Sequence, residues 1–272
     1  MSDYKMIALD MDGTLLNSKK EISKKILEAI EKAFDAGKEV ILCTGRCVPE
    51  LEIYIGQIPR LRYIVGISGA LVYDLQKKKS IYMNEIPDDR VEKILDLVKD
   101  ENVMTHLLGE KSLVQKSQME NMESYQMGGY SEMFYHVATP VEDILAYYRE
   151  KKPQIMKVNL YHQNPQGREK TRKKLSGENL VCINAERTSL EISAEGTTKG
   201  TGLQRLCEVL GIGLGQVIAV GDADNDLDVL SKAGLSIAMG NANQSVKDIC
   251  DVIVSDCDHD GCAEAIEKYL LK

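Results

Sequence analysis

Two apolar rhythms alternate along the first part of the chain. Met6-Ile7-Ala8-Leu9 is too short and too uniformly hydrophobic for a surface helix, and it predicts a buried parallel strand. Ile22, Ile26, Leu27, Ala29, Ile30, Ala33 and Phe34 then fall on one helical stripe, with Gly37 placed to cap its end. Val40-Ile41-Leu42-Cys43 predicts a second buried strand, completing a βαβ unit with a right-handed crossover. The rhythm returns late in the chain. Leu203, Leu206, Cys207 and Leu210 form a helical stripe closed by Gly211, followed by strands at Val217–Val220, Leu235–Ala238 and Val252–Val254. Ala263, Ile266, Tyr269 and Leu270 predict a last helix. Such alternation means an α/β fold around a parallel sheet. The middle differs, with a Met-rich stretch from Met119 to Met133, a basic run from Arg168 to Lys174 and short alternating strands such as Met156–Leu160. It predicts an inserted α+β domain.

Three of these strands end in polar clusters. Leu9 is followed by Asp10-Met11-Asp12-Gly13-Thr14, Cys43 by Thr44-Gly45-Arg46, and Val220 by Gly221-Asp222-Ala223-Asp224-Asn225-Asp226. Ligands of open α/β sheets sit at the carboxyl ends of the strands, so one pocket can collect all three. Asp10, Asp12 and Asp222 would repel one another there unless a hard divalent cation compensated, and Mg²⁺ takes one or two carboxylates plus water and phosphate. Thr44 offers a hydroxyl. Lys199, in Gly196-Thr197-Thr198-Lys199-Gly200, offers a point charge at a helix start whose N–H groups suit a phosphate.

Taken together, Asp10-Met11-Asp12-Gly13-Thr14, Thr44-Gly45-Arg46, Lys199-Gly200 and Gly221-Asp222-Ala223-Asp224-Asn225-Asp226 resemble the four motifs of the haloacid dehalogenase superfamily phosphatases, in family order. Ala238-Met239 followed by Asn241-Ala242, and Asp260-Gly261, resemble the Cof-type sugar-phosphatase-like branch, which carries a type-two (IIB) cap. The resemblance implies a Rossmann-like parallel-sheet core and a Mg²⁺-dependent phosphomonoester hydrolase acting on small phosphorylated metabolites, with sugar phosphates expected. In it Asp10 is the nucleophile that forms an aspartyl-phosphate, and Asp12 is the acid and then the base. Thr44 and Lys199 hold phosphoryl oxygens. Asp10, the backbone carbonyl of Asp12, and Asp222 hold Mg²⁺. Gly45, Arg46 and Asn225 join the phosphate and substrate contacts, and Asn225 and Asp226 support the metal shell and Lys199. Relatives usually carry Asn where Ser68 stands in Ile67-Ser68-Gly69-Ala70.

The stretch between Thr44 and Lys199 far exceeds the ~30 residues of a simple βαβ unit, so the insertion falls after the second motif. The expected division is a core at 1–82 and 190–272 with a cap at 83–189. A phosphomutase that returns the phosphoryl group to a second hydroxyl is the alternative within the superfamily. A non-catalytic sensor of phosphorylated metabolites is the alternative outside it. Some features have plainer readings. Arg46 suits a surface salt bridge as well as a substrate contact, Asp224 and Asp228 suit helix-start charges, and the Met-rich stretch suits packing. The acidic run fails as an EF-hand, because its sixth position is Leu227 and its twelfth Ala233.

Composition narrows the picture further. At about 150 residues per domain, 272 residues suggest two domains. With 5% aromatic residues and no Trp, the core must be aliphatic. A net charge of −8 argues against nonspecific nucleic-acid binding. No apolar run approaches the ~20 residues of a membrane helix. Residues 1–5 lead straight into the first predicted strand, so no signal peptide is expected. The seven Cys show no CxxC spacing, so reduced, buried thiols and a cytoplasmic location are expected. The four His form no HExxH pair, which argues against zinc. The partner expected is a small-molecule phosphate ester. Nothing in the sequence sets an oligomeric state.

Overall fold

Met6–Leu9 form β1, and all four residues are buried. The computed structural model describes residues 4–185 and 187–272. After β1 come α1 (Lys24–Asp35), β2 (Glu39–Cys43), α2 (Glu52–Ile55), β3 (Tyr63–Gly66), β4 (Leu71–Asp74) and β5 (Lys79–Met83). The middle of the chain supplies α3 (Asp88–Val98), β6 (Val103–Gly109), β7 (Ser112–Gln115), α4 (Lys116–Met119), α5 (Ser131–Val137) and β8 (Ala138–Val141). It continues through α6 (Ile144–Lys151), β9 (Ile155–His162), α7 (Pro165–Lys174), β10 (Leu180–Ala185) and β11 (Ser189–Ala194). The last part holds α8 (Lys199–Leu210), β12 (Val217–Gly221), α9 (Leu227–Lys232), β13 (Leu235–Ala238), α10 (Gln244–Ile249), β14 (Val252–Ile253) and α11 (Gly261–Ala265).

Two units divide these elements. The first takes the chain up to Arg46, Leu51–Met83 and Thr198–Lys272. Its sheet has the order β14-β13-β12-β1-β2-β3-β4-β5. The strands from β14 to β3 run parallel, and β4 and β5 are antiparallel additions at one edge. The apolar runs at 6–9, 40–43 and 217–220 become fully buried strands because helices cover the sheet, whereas the run at 252–254 yields only the short edge strand β14 with Ile253 exposed. Ser23 caps α1 by accepting the Ile26 N–H, and Ile26, Ala29, Ile30 and Ala33 face the core. Thr198 and Thr201 form a reciprocal capping box at the start of α8, and Gly211, at φ 66°, ends it.

The second unit comprises Cys47–Glu50 and Asn84–Thr197. Its sheet has the order β10-β11-β9-β6-β7-β8, antiparallel except between β7 and β8. Residues 190–197, expected in the core portion, belong here instead. Leu190 and Ile192 point into this unit's apolar cluster while β11 pairs with both β9 and β10. The expected half-buried pattern at Met156–Leu160 also gives way: all eight residues of β9 are buried. One face packs Val158 and Leu160 into the helix-covered core. The other carries Tyr161, packed with Met104, Met119, Met122, Met127 and Phe134, so the Met-rich stretch does serve packing. The basic run lies on α7, with Arg172, Lys173 and Lys174 exposed. Among the described residues, no helix is long and apolar enough to cross a membrane.

Candidate active site

Strand register gathers the polar clusters of the first unit. Leu9 of β1 pairs with Val220 of β12 on one side and Leu42 of β2 on the other. Asp10, Thr44 and Asp222 therefore leave neighbouring parallel strands at the same edge, where an open α/β sheet binds its ligand. Lys199 comes from the first turn of α8 and is 1% exposed. Its Nζ donates to Asp10 Oδ1 at 2.5 Å and to Asp226 Oδ1 at 2.7 Å. The other oxygen of Asp226 accepts the backbone N–H groups of Asp222 and Ala223 at 3.1 and 3.2 Å. Asp226 thus locks the loop after β12 to the lysine.

Asp10, Asp222 and Asp226 each offer a carboxylate oxygen within 4.8 Å of one another. Thr14 Oγ1 donates to Asp222 Oδ1 at 2.8 Å. Gly13 sits at φ 86°, and a Cβ there would come within 2.4 Å of Asp222 Oδ2. The first loop can lie this close only because position 13 has no side chain. Both Asp226 oxygens are engaged. The oxygens left open to a cation are Asp10 Oδ2 and Asp222 Oδ2, neither with a donor among the described residues. Oxygen donors with excess negative charge suit a hard divalent cation.

The charges bear this out. Burial, reinforced by the Asp226 charge, pushes the Asp10 carboxyl up to about 8, even though Lys199 pulls the other way. Burial likewise lifts Asp222 to about 6 against its bond from Thr14. Burial would lower Lys199, but the charges of Asp10 and then Asp226 outweigh it and hold the ammonium well above its ordinary range. One ammonium faces three carboxylates, so the cluster lacks positive charge.

Asp12 turns away from that cluster. Its Oδ2 accepts Arg46 Nε at 2.8 Å, and its Oδ1 accepts Arg46 Nη2 at 2.7 Å and Lys20 Nζ at 2.8 Å. Burial alone would raise its carboxyl. The hydrogen bonds and charge of Arg46, then those of Lys20, outweigh burial and hold it at about 2. Arg46 forms a salt bridge with Asp12. Thr44 is 1% exposed, and its Oγ1 accepts the Arg46 N–H at 3.2 Å. Gly45 follows, partly buried.

Asn225 is exposed and makes no side-chain hydrogen bond among the described residues, so it does not join the cluster here. Asp224 accepts the Ser245 hydroxyl at 2.5 Å. Asp228 is more than a helix-start charge: it accepts the Thr198 hydroxyl and Lys232 Nζ, tying α9 to the cap of α8. Two further side chains hold the first loop. Asn241 Nδ2 donates to the Gly13 carbonyl at 2.8 Å while its Oδ1 accepts the Cys257 N–H at 2.9 Å. The motif around Asn241 was visible in the sequence, but its task was not. Lys20 carried no sequence signal beyond a polar turn.

The segment Ile67–Gly69 supports the lysine from behind. Ile67 and Ser68 both take left-handed φ values, 50° and 56°, and Gly69 lies at 94°. A Cβ on Gly69 would meet the Thr198 carbonyl at 1.9 Å.

A sequence profile described as haloacid dehalogenase-like hydrolase matches residues 7–266. The chain is 29% identical over 270 residues to the 5-amino-6-(5-phospho-D-ribitylamino)uracil phosphatase YitU of Bacillus subtilis, covering 97% of each chain. It is 27% identical over 273 residues to YcsE, the phosphatase of the same name from that organism, covering 99% of this chain and 97% of the relative. Among solved structures, a haloacid dehalogenase-like hydrolase from Bacteroides thetaiotaomicron superposes with a TM-score of 0.86 at 26% identity, covering 97% of this chain and 99% of the other.

Proposed function

The chain belongs to the haloacid dehalogenase-like hydrolases and is an enzyme of the phosphatase class, and we propose that it is a Mg²⁺-dependent phosphomonoester hydrolase working through an aspartyl-phosphate on Asp10. The observation that carries this reading is the buried Lys199, bonded at once to Asp10 and Asp226, with Asp222 beside them at the ends of adjacent parallel strands. The carboxylates of Asp10 and Asp222, with the backbone carbonyl of Asp12, would hold Mg²⁺. When bound, Mg²⁺ neutralises the carboxylates and the phosphoryl oxygens.

The chain's own groups do the rest. A carboxylate oxygen of Asp10 attacks phosphorus, and the bond from phosphorus to the ester oxygen breaks. Asp12, which must take up a proton against the pull of Arg46 and Lys20 before this step, gives that proton to the departing oxygen. Lys199 holds Asp10 in position and offers charge to the phosphoryl oxygens, with the Thr44 hydroxyl as a further donor. Asp12, now a carboxylate, takes a proton from water. That water attacks phosphorus, inorganic phosphate leaves and Asp10 is restored. A carboxylate nucleophile divides one hard hydrolysis into two easier steps, and positioning with charge neutralisation is most of what phosphoryl transfer requires.

The substrates in this reading are small phosphate esters with a sugar or sugar-alcohol moiety. The ribityl phosphates named for YitU and YcsE support that class. The second unit is the inserted cap that selects the leaving group. Seven free cysteines accord with work in the reducing cytoplasm.

Phosphate release from p-nitrophenyl phosphate and from a panel of sugar phosphates tests the proposal. Turnover should need added Mg²⁺, stop with EDTA, and vanish in Asp10→Asn while the fold persists. An Asp10→Asn enzyme with full activity sinks the nucleophile assignment.

A further inference from the structure

Asp12 lies on an exposed rim, its side chain 41% accessible, yet it is gripped from two directions. The Arg46 guanidinium engages both carboxylate oxygens as a fork, and Lys20 adds a third bond. The fork is itself braced. The Arg46 amide bonds Thr44 Oγ1 and its carbonyl accepts the Ile67 N–H at 2.9 Å, which fixes the backbone between the ends of β2 and β3. The guanidinium carbon lies 5.5 Å from the centre of the Tyr54 ring. The Tyr54 hydroxyl donates to the Lys20 carbonyl at 3.3 Å, and Lys20 takes a left-handed φ of 61°. A backbone held in that region is costly for a residue with a side chain and persists where its surroundings impose it. One tyrosine therefore steadies both cations that meet Asp12.

We propose that Arg46 and Lys20 are positioning residues for the proton-transfer step, fixing the plane and direction of the Asp12 carboxylate, with Tyr54 as their common brace. The inference rests on the reading of Asp12 as acid and base. An aspartate side chain turns freely about two bonds. A two-point fork removes that freedom in a way that a single ammonium cannot. Misplacement of a reacting group by about 1 Å can cost on the order of 10²-fold in rate. Arg46 is thereby assigned to the acid rather than to the phosphate.

The test is a series of aryl phosphates from p-nitrophenyl to phenyl, whose leaving groups need increasing help from an acid. Inorganic phosphate serves as a competitive inhibitor that reports on phosphate binding alone. Arg46→Met should lower kcat for phenyl phosphate by about 10²-fold, the scale of general acid catalysis, and for p-nitrophenyl phosphate by less than about threefold. Its inhibition by inorganic phosphate should stay within about twofold of the parent, a difference of less than 0.5 kcal/mol. Arg46→Lys should recover part of the loss, and Lys20→Met should cost about threefold on phenyl phosphate, as an exposed pair would. Asp12→Asn should steepen the leaving-group dependence by itself, and adding Arg46→Met to it should steepen it no further.

A uniform loss across the series with weakened phosphate inhibition makes Arg46 a phosphate ligand and overturns the proposal. So does an unchanged slope in Arg46→Met, or a double variant steeper than Asp12→Asn. If Asp12→Asn leaves the slope unaltered, the acid assignment falls and the proposal with it. If the parent releases no phosphate from any ester, the functional reading itself is wrong. Thermal melting of each variant separates these outcomes from unfolding.

Discussion

Replacing Lys199 by Met removes the only cation bonded to Asp10 and Asp226 among the described residues while keeping a similar volume. The ammonium is 1% exposed, its bonds are 2.5 and 2.7 Å long, and both partners are buried. Removing one member of a buried ion pair costs about 3–5 kcal/mol, because the remaining charge is left uncompensated. At about 2–4 °C per kcal/mol for a chain of this size, the metal-free variant should melt on the order of 10 °C lower at pH 8. The loss should depend on pH, with a sign the structure dictates. Asp10 already titrates near 8 in the folded protein against an ordinary 3.8. A carboxyl raised in this way contributes stability that is complete below its ordinary value and is lost as pH rises through the folded one. Deleting the ammonium lifts Asp10 above 8, so Asp10 is protonated in the variant at both pH values. Asp222, at about 6 in the parent and held down there by Lys199, also rises, so its protonation relieves the variant at pH 5.5 and the gap to the parent narrows. Calorimetry in EDTA at the two pH values makes the comparison. Equal melting temperatures at pH 8, or a deficit as large at pH 5.5 as at pH 8, would refute the charge argument.

Other outcomes follow from the same geometry. Added Mg²⁺ should raise the melting temperature of the parent more at pH 8 than at pH 5.5. The reason is that Asp10 and Asp222, lifted to about 8 and about 6, must lose protons to hold it; an equal rise at both values would count against that site. Gly69→Ala should destabilise by about 2 kcal/mol or more, since it strains a left-handed position. It should also cut turnover, because its Cβ would strike the Thr198 carbonyl next to Lys199; thermal melting and an aryl phosphate assay read the two effects. Iodoacetamide at pH 7 should leave activity intact. Cys43, beside the site, is 2% exposed, and burial lifts its thiol to about 12; rapid inactivation traced to Cys43 would contradict that.

The sequence carried the parts of this site that depend on strand register. A buried apolar run that stops at a carboxylate marks a sheet edge, and parallel pairing then places Asp10, Thr44 and Asp222 side by side. Lys199 was readable from its place before an apolar helical stripe. Lys20 was not, since a lysine in a polar turn has no local mark of a distant aspartate. Arg46 stayed open between two readings because the choice depends on where the Asp12 side chain points. The boundary between the two portions falls after Thr197 rather than at 190, since the residues from 190 onward carry no local mark of which sheet supplies their neighbours. For Asn225, the motif gave a place in the loop, while the exposure of the side chain is set by the turn after Ala223.

The pairing of β1 with β12 joins Met6 to Val217. A ribosome therefore delivers Asp10, the proposed nucleophile, long before the strand beside it. Until then β1 lacks a neighbour on that side, and a nascent or truncated chain that ends before Asp226 has neither Asp222 nor the carboxylate that shares Lys199. The intervening 84–197 segment, with apolar clusters of its own, can condense first and shorten the loop that β1 and β12 must close. On the proposed mechanism catalytic competence arrives late during synthesis, so fragments of this chain that end before Asp226 should be chemically silent.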